Sequence, residues 1–303
     1  MTVGALTSVA VVGGLEDYQF ELAGYRFGDG CPIFVDADGG FDPGTNTWLD
    51  QDSVSSLTGA NRMGSDRRAA QVWSWTLHTN TDDPVEALAE LGEMGRAWFG
   101  GDRSVRTVHM LRYRIAERTR VIFGRPRELS YKPGRLIYAG YLPPTATFVK
   151  SDALHYDDEE QSVDMRLGET TSGGFDWPAV WPLTFNITSD VVEPWAIIVG
   201  GDAPTAPVIE IYGPVTNPTV TIGKLKMRFT GSLPEGGMVR IDARPWSSDI
   251  FRSGPQGSLK LTADVRLASA RLEPGAYDAV FTGEDDTGNA RCRVLWRNAW
   301  HTL

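Results

Sequence analysis

The chain has 303 residues, of which 41% are hydrophobic and 22% charged, an ordinary globular balance that excludes a disordered chain. The net charge of −10 argues against wrapping nucleic acid or resting on an anionic membrane surface, and no run approaches the roughly 18 apolar residues of a membrane helix. Thirty-three glycines and 18 prolines without a period suit many short strands joined by tight turns, and the length suits two domains.

From the N-terminus, the first basic residue is Arg26, so the apolar stretch Val9–Val12 lacks the flank of a signal peptide and a soluble, cytoplasmically made protein is expected. Tyr18, Phe20 and Leu22 alternate with polar residues, as do Trp73, Trp75 and Leu77. Such period-2 patterns predict half-buried antiparallel strands. The run Asp36–Asp42 starts like a calcium loop, but Gly40, Phe41 and Thr47 stand where such a loop needs other residues, so a solvated Asp/Gly turn is expected.

A helix is predicted over 83–99, with Val85, Leu88, Leu91 and Trp98 at helical spacing. Asp83 would cap it, Pro84 suits its first turn, Glu86 occupies a capping-box position and Gly100-Gly101 stops it. Gly92 and Gly95 suggest close backbone contact with a sheet.

Leu111, Tyr113 and Ile115 open the next alternating segment, inside a stretch (101–135) holding ten basic and three acidic residues. This excess suits either a surface for an acidic partner or nucleic acid, or arginines paired with acidic neighbours. The second reading is preferred: Arg112, Arg114, Arg118 and Arg120 are expected on the outer face of one hairpin, with neighbours that in an oligomer belong to the next subunit. The tyrosines and phenylalanine nearby lack the spacing of a base-stacking platform. Further on, Thr145–Val149 and Ser162–Leu167 alternate, and Asp157–Glu160 between them is read as a solvated hairpin tip rather than a catalytic or metal-binding group.

Gly168–Pro182 is rich in Gly, Ser, Thr and Pro and reads as a linker. The expected organisation is an N-terminal β-sandwich with one helix over 1–170, a linker at 171–182 and a C-terminal β-sandwich over 183–303. Eight strands are expected beyond the linker: 195–199, 208–212, 219–222, 225–230, 238–242, 259–267, 277–282 and 291–296. Their density fits a jelly-roll or galectin-like sandwich, so the fold class is mainly β. Trp177, Trp181 and Trp195 suit packing between domains or stacking on a sugar.

Signatures of common enzymes are missing: there is no GxGxxG after a strand, no GxxxxGK[ST], no HExxH and no GxSxG. His78, His109, His155 and His301 are scattered, and Cys31 and Cys292 have neither disulfide-framework nor metal-ligand spacing, so two free thiols are expected. No catalytic residue, cofactor or metal is expected.

Three turn-and-strand motifs carry a family resemblance. Gly213-Pro214-Val-Thr-Asn217-Pro218 forms a GPxxNP turn, Leu272-Glu-Pro274-Gly275 opens a strand, and an aromatic closing segment ends in Trp300. Together they resemble the distal tail (Dit-like) proteins of long-tailed phages, called minor tail proteins in phages of actinobacteria. The resemblance is clearest from Ile209 to Trp300. It implies a hexameric ring formed through the N-terminal domain that joins the tail tube to the tip or baseplate proteins, with tube, hub and tape-measure proteins as partners. A galectin-like C-terminal domain would project outward and sometimes bind host glycans. The location implied is the tail tip of the virion, after assembly in the host cytoplasm. A carbohydrate-binding module and a glycan- or peptidoglycan-cleaving enzyme are the other readings. An enzyme would need two carboxylates in one pocket, and no motif marks such a pair.

Overall fold

The computed structural model describes residues 14–55, 57–167, 194–255, 257–262, 266–285 and 287–303. The chain divides into two compact units. Unit 1 holds the residues up to Asp158 together with Ala299–Leu303, and unit 2 holds Glu159–Asn298. The expected boundaries shift at both ends, and the expected linker at 171–182 lies outside the described residues.

Unit 1 contains β1 (Gln19–Leu22), β2 (Tyr25–Gly28), β3 (Ile33–Val35), β4 (Phe41–Asp42), β5 (Trp48–Leu49), β6 (Ser53–Val54), β7 (Asn61–Arg62), β8 (Arg67–Arg68) and β9 (Val72–Thr79). Helix α1 (Pro84–Phe99), β10 (His109–Ile115), β11 (Arg118–Tyr131), β12 (Pro144–Lys150) and β13 (His155–Asp157) follow, and β25 (Ala299–Trp300) returns at the far end of the chain. Ten of these strands form one antiparallel sheet along β2-β1-β10-β11-β12-β9-β3, with β4 on β9, β13 on β11 and β25 on β13. The 14-residue β11 takes β10 along its first half and β12 along its second. The handover falls at Gly124, where any Cβ would overlap the Val149 carbonyl oxygen.

Alternation in β9 follows from period-2 geometry: Trp73, Trp75 and Leu77 are buried, with Ser74, Thr76 and His78 on the other face. The buried row meets Phe20, Phe27, Trp98 and Tyr113 in an aromatic core. Trp75 alone has Phe20, Phe27, Phe41, Trp73 and Trp98 edge-on or stacked within 6 Å between ring centroids.

The helix starts as expected, with Asp83 Oδ1 accepting from the Val85 N–H at 2.9 Å. Glu86 does not close a capping box. It accepts from the Thr81 hydroxyl, whose oxygen in turn accepts the Asp83 N–H. The buried stripe is Ala87, Leu91, Met94, Ala97 and Trp98, while Val85 and Leu88 face solvent, a rotation from the expected stripe. Nor do the helix glycines mark a close approach: a Cβ on Gly92 would meet open space and one on Gly95 only the Leu129 side chain at 4.0 Å.

Unit 2 is a sandwich of two antiparallel sheets. One is β14 (Gln161–Arg166), β24 (Arg291–Trp296), β16 (Val208–Tyr212), β20 (Met238–Asp242) and β21 (Asp249–Ser253), in that order. The other is β15 (Trp195–Val199), β23 (Gly275–Glu284), β17 (Val215–Ile222), β18 (Leu225–Thr230) and β22 (Lys260–Leu261), with β19 (Ser232–Leu233) on β17. Five of the eight expected strands appear with their expected limits, and two lie within longer strands. Within the expected strand at 259–267, Lys260–Leu261 is strand and Leu267 opens a short 3-10 turn at Leu267–Ser269, while 263–265 lie outside the described residues. The core is aliphatic, built from Ile197, Ile209, Ile211, Val220, Ile222, Met227, Ile241 and Val294 around Phe281. Both cysteines are free and buried, Cys31 in unit 1 and Cys292 in unit 2.

Candidate functional site

Asp157–Glu160 is not a hairpin tip: β12 and β14 belong to different sheets, and the run crosses from unit 1 to unit 2. Three of its carboxylates are engaged. Asp157 accepts from the Trp300 indole at 2.7 Å, Asp158 pairs with Arg112, and Glu160 lies 3.7 Å from Arg297. The Asp36–Asp42 run forms a turn in which Asp36 accepts from the Asp38 N–H and approaches His78 at 3.3 Å. These contacts hold the exposed Asp36 carboxyl below the usual carboxylate range. No group of three metal-ligating side chains occurs among the described residues.

The four arginines do not share one face. Register puts Arg112 opposite Val121 and Arg114 opposite Thr119, whereas Arg118 faces Ile115 and Arg120 faces Tyr113. Residues directly opposite in a ladder point to the same side, so Arg120 lies on the core side with Tyr113. It is 4% exposed, its NH1 donates to the Thr302 carbonyl at 2.5 Å, and its guanidinium sits 4.6 Å from the Trp300 ring centroid. Arg112 is also buried and donates to Asp158 from Nε at 2.8 Å. Both are thus used within the chain. Arg114, whose Nε has no acceptor among the described residues, and the exposed Arg118 flank the tip of the β10–β11 hairpin.

Beside Arg120 lies a polar cluster that the sequence did not announce. Lys150 is 1% exposed and His155 2%. The Tyr113 hydroxyl meets His155 Nδ1 at 2.7 Å, Lys150 Nζ meets His155 Nε2 at 3.1 Å, and Nζ donates to Gln71 Oε1 at 2.7 Å. Gln71 donates to Asn46 Oδ1, which also accepts from Arg68, and Arg68 contacts His301 Nδ1, each at 2.7 Å. Burial pushes Lys150 down to about 7. Burial, then the Lys150, Arg120 and Arg68 charges, push His155 down to about 2. Period-2 reading leaves Lys150 as the end of a strand and His155 as an isolated histidine, so only the fold joins them.

Two apolar surfaces complete unit 1. Short ladders of β5 on β8 and β6 on β7 form a double ribbon that exposes Leu49, Val54, Leu57 and Met63 between 59% and 95%. A second surface collects Val85 and Leu88 of α1 with Leu136 and Tyr138 of the short helical turn at Arg135–Ala139.

The whole chain was compared with known proteins. No family model matches it, and no curated protein matches it in sequence. Solved structures do. The Dit protein of phage SPP1, described as a paradigm of the hub of the adsorption apparatus in phages infecting Gram-positive bacteria, aligns over 93% of this chain and 98% of its own, with 10% identity and a TM-score of 0.55. A chain of the phage P2 baseplate in its activated conformation with calcium aligns over 94% and 99%, at 10% identity and a TM-score of 0.53. A chain of the strontium-bound baseplate aligns over 96% and 100%, at 12% identity and a TM-score of 0.54. The chain has the fold of phage distal tail proteins.

Within the distal-tail fold, the motif residues serve local geometry. Gly213-Pro214, joined by a cis peptide bond, makes the turn between β16 and β17, and a Cβ on Gly213 would overlap the Pro234 carbonyl oxygen. Asn217 has φ +49° and its side chain accepts from the Gly231 N–H at 3.0 Å. Asn217 and Pro218 sit inside β17, where the register against β23 shifts between Thr216 and Thr219. Leu272 is buried, and the turn through Pro274 releases β23 at Gly275. Trp300 departs from expectation: β24 ends at Trp296, and Trp300 pairs with His155 in unit 1 instead of closing unit 2. Trp177 and Trp181 lie outside the described residues, and Trp195 on β15 is 41% exposed.

Proposed function

We propose that this chain is a structural component of a phage tail tip, a distal tail protein that forms a six-membered ring joining the tail tube to the tip or baseplate proteins. The observation that carries the reading is the end-to-end fold match: 93% or more of this chain aligns with 98% or more of each tail or baseplate chain. A partial match would be compatible with a shared module, whereas both units align here.

The surfaces of unit 1 support ring formation. A cyclic ring needs two different patches that complement each other on neighbouring copies. The ribbon bearing Leu49, Val54, Leu57 and Met63 and the face bearing Val85, Leu88, Leu136 and Tyr138 are two such unlike patches. Arg114 and Arg118 add positive charge at a hairpin tip in a chain of net charge −10. In this reading, ring closure, neighbouring tail proteins and location in the virion tail follow from assembly. Unit 2 serves as the attachment platform.

The test is sedimentation and negative-stain microscopy of the purified full chain. Six-fold rings with a central hole are expected. Leu57→Asp with Met63→Asp should leave folded monomers, and Arg114→Glu with Arg118→Glu should shift the ring–monomer balance at least tenfold towards monomer. A wild-type chain that stays monomeric at high concentration, alone and with tail-tube protein, would overturn the reading.

A further inference from the structure

Unit 1 contains a cleft of about 240 Å³ lined by Asn46, Thr47, Trp48, Arg68, His301 and Thr302. That volume accommodates a ligand the size of one sugar ring, below the range of drug-sized sites. Its walls come from the base of the β5–β8 ribbon and from the segment that follows β25.

Three basic side chains lie at or behind the cleft. Arg68, Arg120 and Lys150 form no ion pair with a carboxylate among the described residues. Their hydrogen-bond partners are the Asn46 and Gln71 amides, the His301 ring and carbonyl, the His155 ring and the Thr302 carbonyl. Such a grouping is unusual, because buried cations are normally paired. The carboxylate acting on Lys150 is Asp152, which already accepts from the Tyr156 hydroxyl at 2.5 Å and the Leu154 N–H at 3.2 Å. Arg68 lines the cleft. Lys150 stands behind its wall, linked to Arg68 through Gln71 and Asn46 by three contacts of 2.7 Å. An anion in the cleft would therefore meet one cation directly and feel a second through a short polar relay in a low-dielectric surrounding.

The remaining lining specifies more than charge. Trp48 is 64% exposed, so its indole face is open to an apolar ring face. Asn46, Thr47 and Thr302 offer amide and hydroxyl groups of the kind that bind sugar hydroxyls. We propose that this cleft binds an anionic sugar, with its carboxylate or phosphate on Arg68 and its ring against Trp48. The cleft lies at the base of the ribbon that carries one assembly patch, but its lining includes none of Leu49, Val54, Leu57 and Met63, and the inference does not depend on ring formation.

The test is calorimetric or saturation-transfer titration of the full chain with glucuronate, glucose 1-phosphate, glucose and inorganic phosphate. Glucuronate and glucose 1-phosphate should bind at least tenfold more tightly than glucose, and the stronger of the two identifies a carboxylate or a phosphate as the natural anion. Arg68→Gln should weaken both anionic sugars at least tenfold. Trp48→Ala, at an exposed position that leaves the core intact, should weaken the sugars at least fivefold and leave inorganic phosphate unchanged. If Arg68→Gln fails to fold, Trp48→Ala and competition by 0.5 M salt read the two halves of the site separately. The proposal is overturned if no probe binds, if glucose binds as well as glucuronate, or if phosphate matches glucose 1-phosphate while Trp48→Ala has no effect.

Discussion

The two units keep their interiors in opposite ways. Unit 2 has an aliphatic core, and its buried charges are matched: Glu210 with Arg240 at 2.8 Å and Asp242 with Arg244 at 2.5 Å. Unit 1 packs Trp73, Trp75, Trp98, Phe20 and Phe27 together, yet also buries Lys150, His155 and Arg120 with neutral partners. A sandwich that only had to be stable would resemble unit 2, since an unpaired buried cation costs free energy whatever surrounds it. The large aromatic core of unit 1 offsets that cost.

The largest expected effect separates the two cores. Trp75→Ala removes an indole in contact with five aromatic rings and should destabilise unit 1 by about 3–5 kcal/mol. Ile211→Val in unit 2 should cost only about 0.5–1.5 kcal/mol. Native-state hydrogen exchange reads both. Amides of β9 and β12 should lose at least a hundredfold of protection in the first variant, and those of β16 and β24 about tenfold or less in the second. Equal losses would remove the contrast.

The next prediction concerns the buried cation. Folding lowers the Lys150 pKa from its ordinary 10.5 to about 7, because burial disfavours the charged form. Between those values the unfolded chain holds a proton that the folded one releases, so stability should rise as the pH climbs from about 7 to 10.5. Below 7 both states are protonated and the full cost is present. Asp152 opposes the shift and Arg68 adds to it, while His155, with its own value near 2, stays neutral across this window. Lys150→Met should flatten the rise and stabilise the fold by about 1–3 kcal/mol below pH 7, as measured by urea unfolding at pH 6 and pH 9. A variant that loses stability at pH 6 would show that the neutral partners satisfy the ammonium fully.

Much of this architecture was legible because strands report themselves through period-2 alternation and the helix through its cap. Strands β15, β16, β18, β20 and β24, the start of α1 and the turn at Gly213 stand where local patterns put them. Partners were not legible, since alternation assigns a residue to a face but does not say which strand lies alongside. Hence Gln161–Arg166 reads as part of the first sandwich but hydrogen-bonds to β24 in unit 2, and Trp300 reads as closing the second but returns to β13. The arginines failed for a related reason. Spacing within each strand is regular, but the register across the hairpin sets Arg120 beside Tyr113 on the core side, while Arg112 turns the other way to Asp158. The double ribbon left no trace because its four strands are two residues each, too short for any period to appear.

The smallest effect tests whether ion pairs differ between the units as the cores do. Asp164 and Arg293 face each other across β14 and β24 in unit 2, with contacts of 2.7 and 3.1 Å and side chains 58% and 44% exposed. Arg293 holds the Asp164 carboxyl below the usual carboxylate range, so the pair's contribution should fade as the pH drops through that lowered value. At such exposure, Asp164→Asn should cost no more than about 0.5–1 kcal/mol and lose most of that in 1 M salt. In unit 1, Asp158→Asn strips the partner from an Arg112 side chain only 11% exposed, whose NH1 already lacks an acceptor among the described residues. That loss should reach about 2–3 kcal/mol and resist salt, because an uncompensated guanidinium is left in a site water reaches poorly. Urea unfolding of the two variants with and without 1 M salt gives four values. If Asp158→Asn proves as mild and as salt-sensitive as Asp164→Asn, Arg112 is solvated after all and becomes available, with Arg114, to a neighbouring subunit.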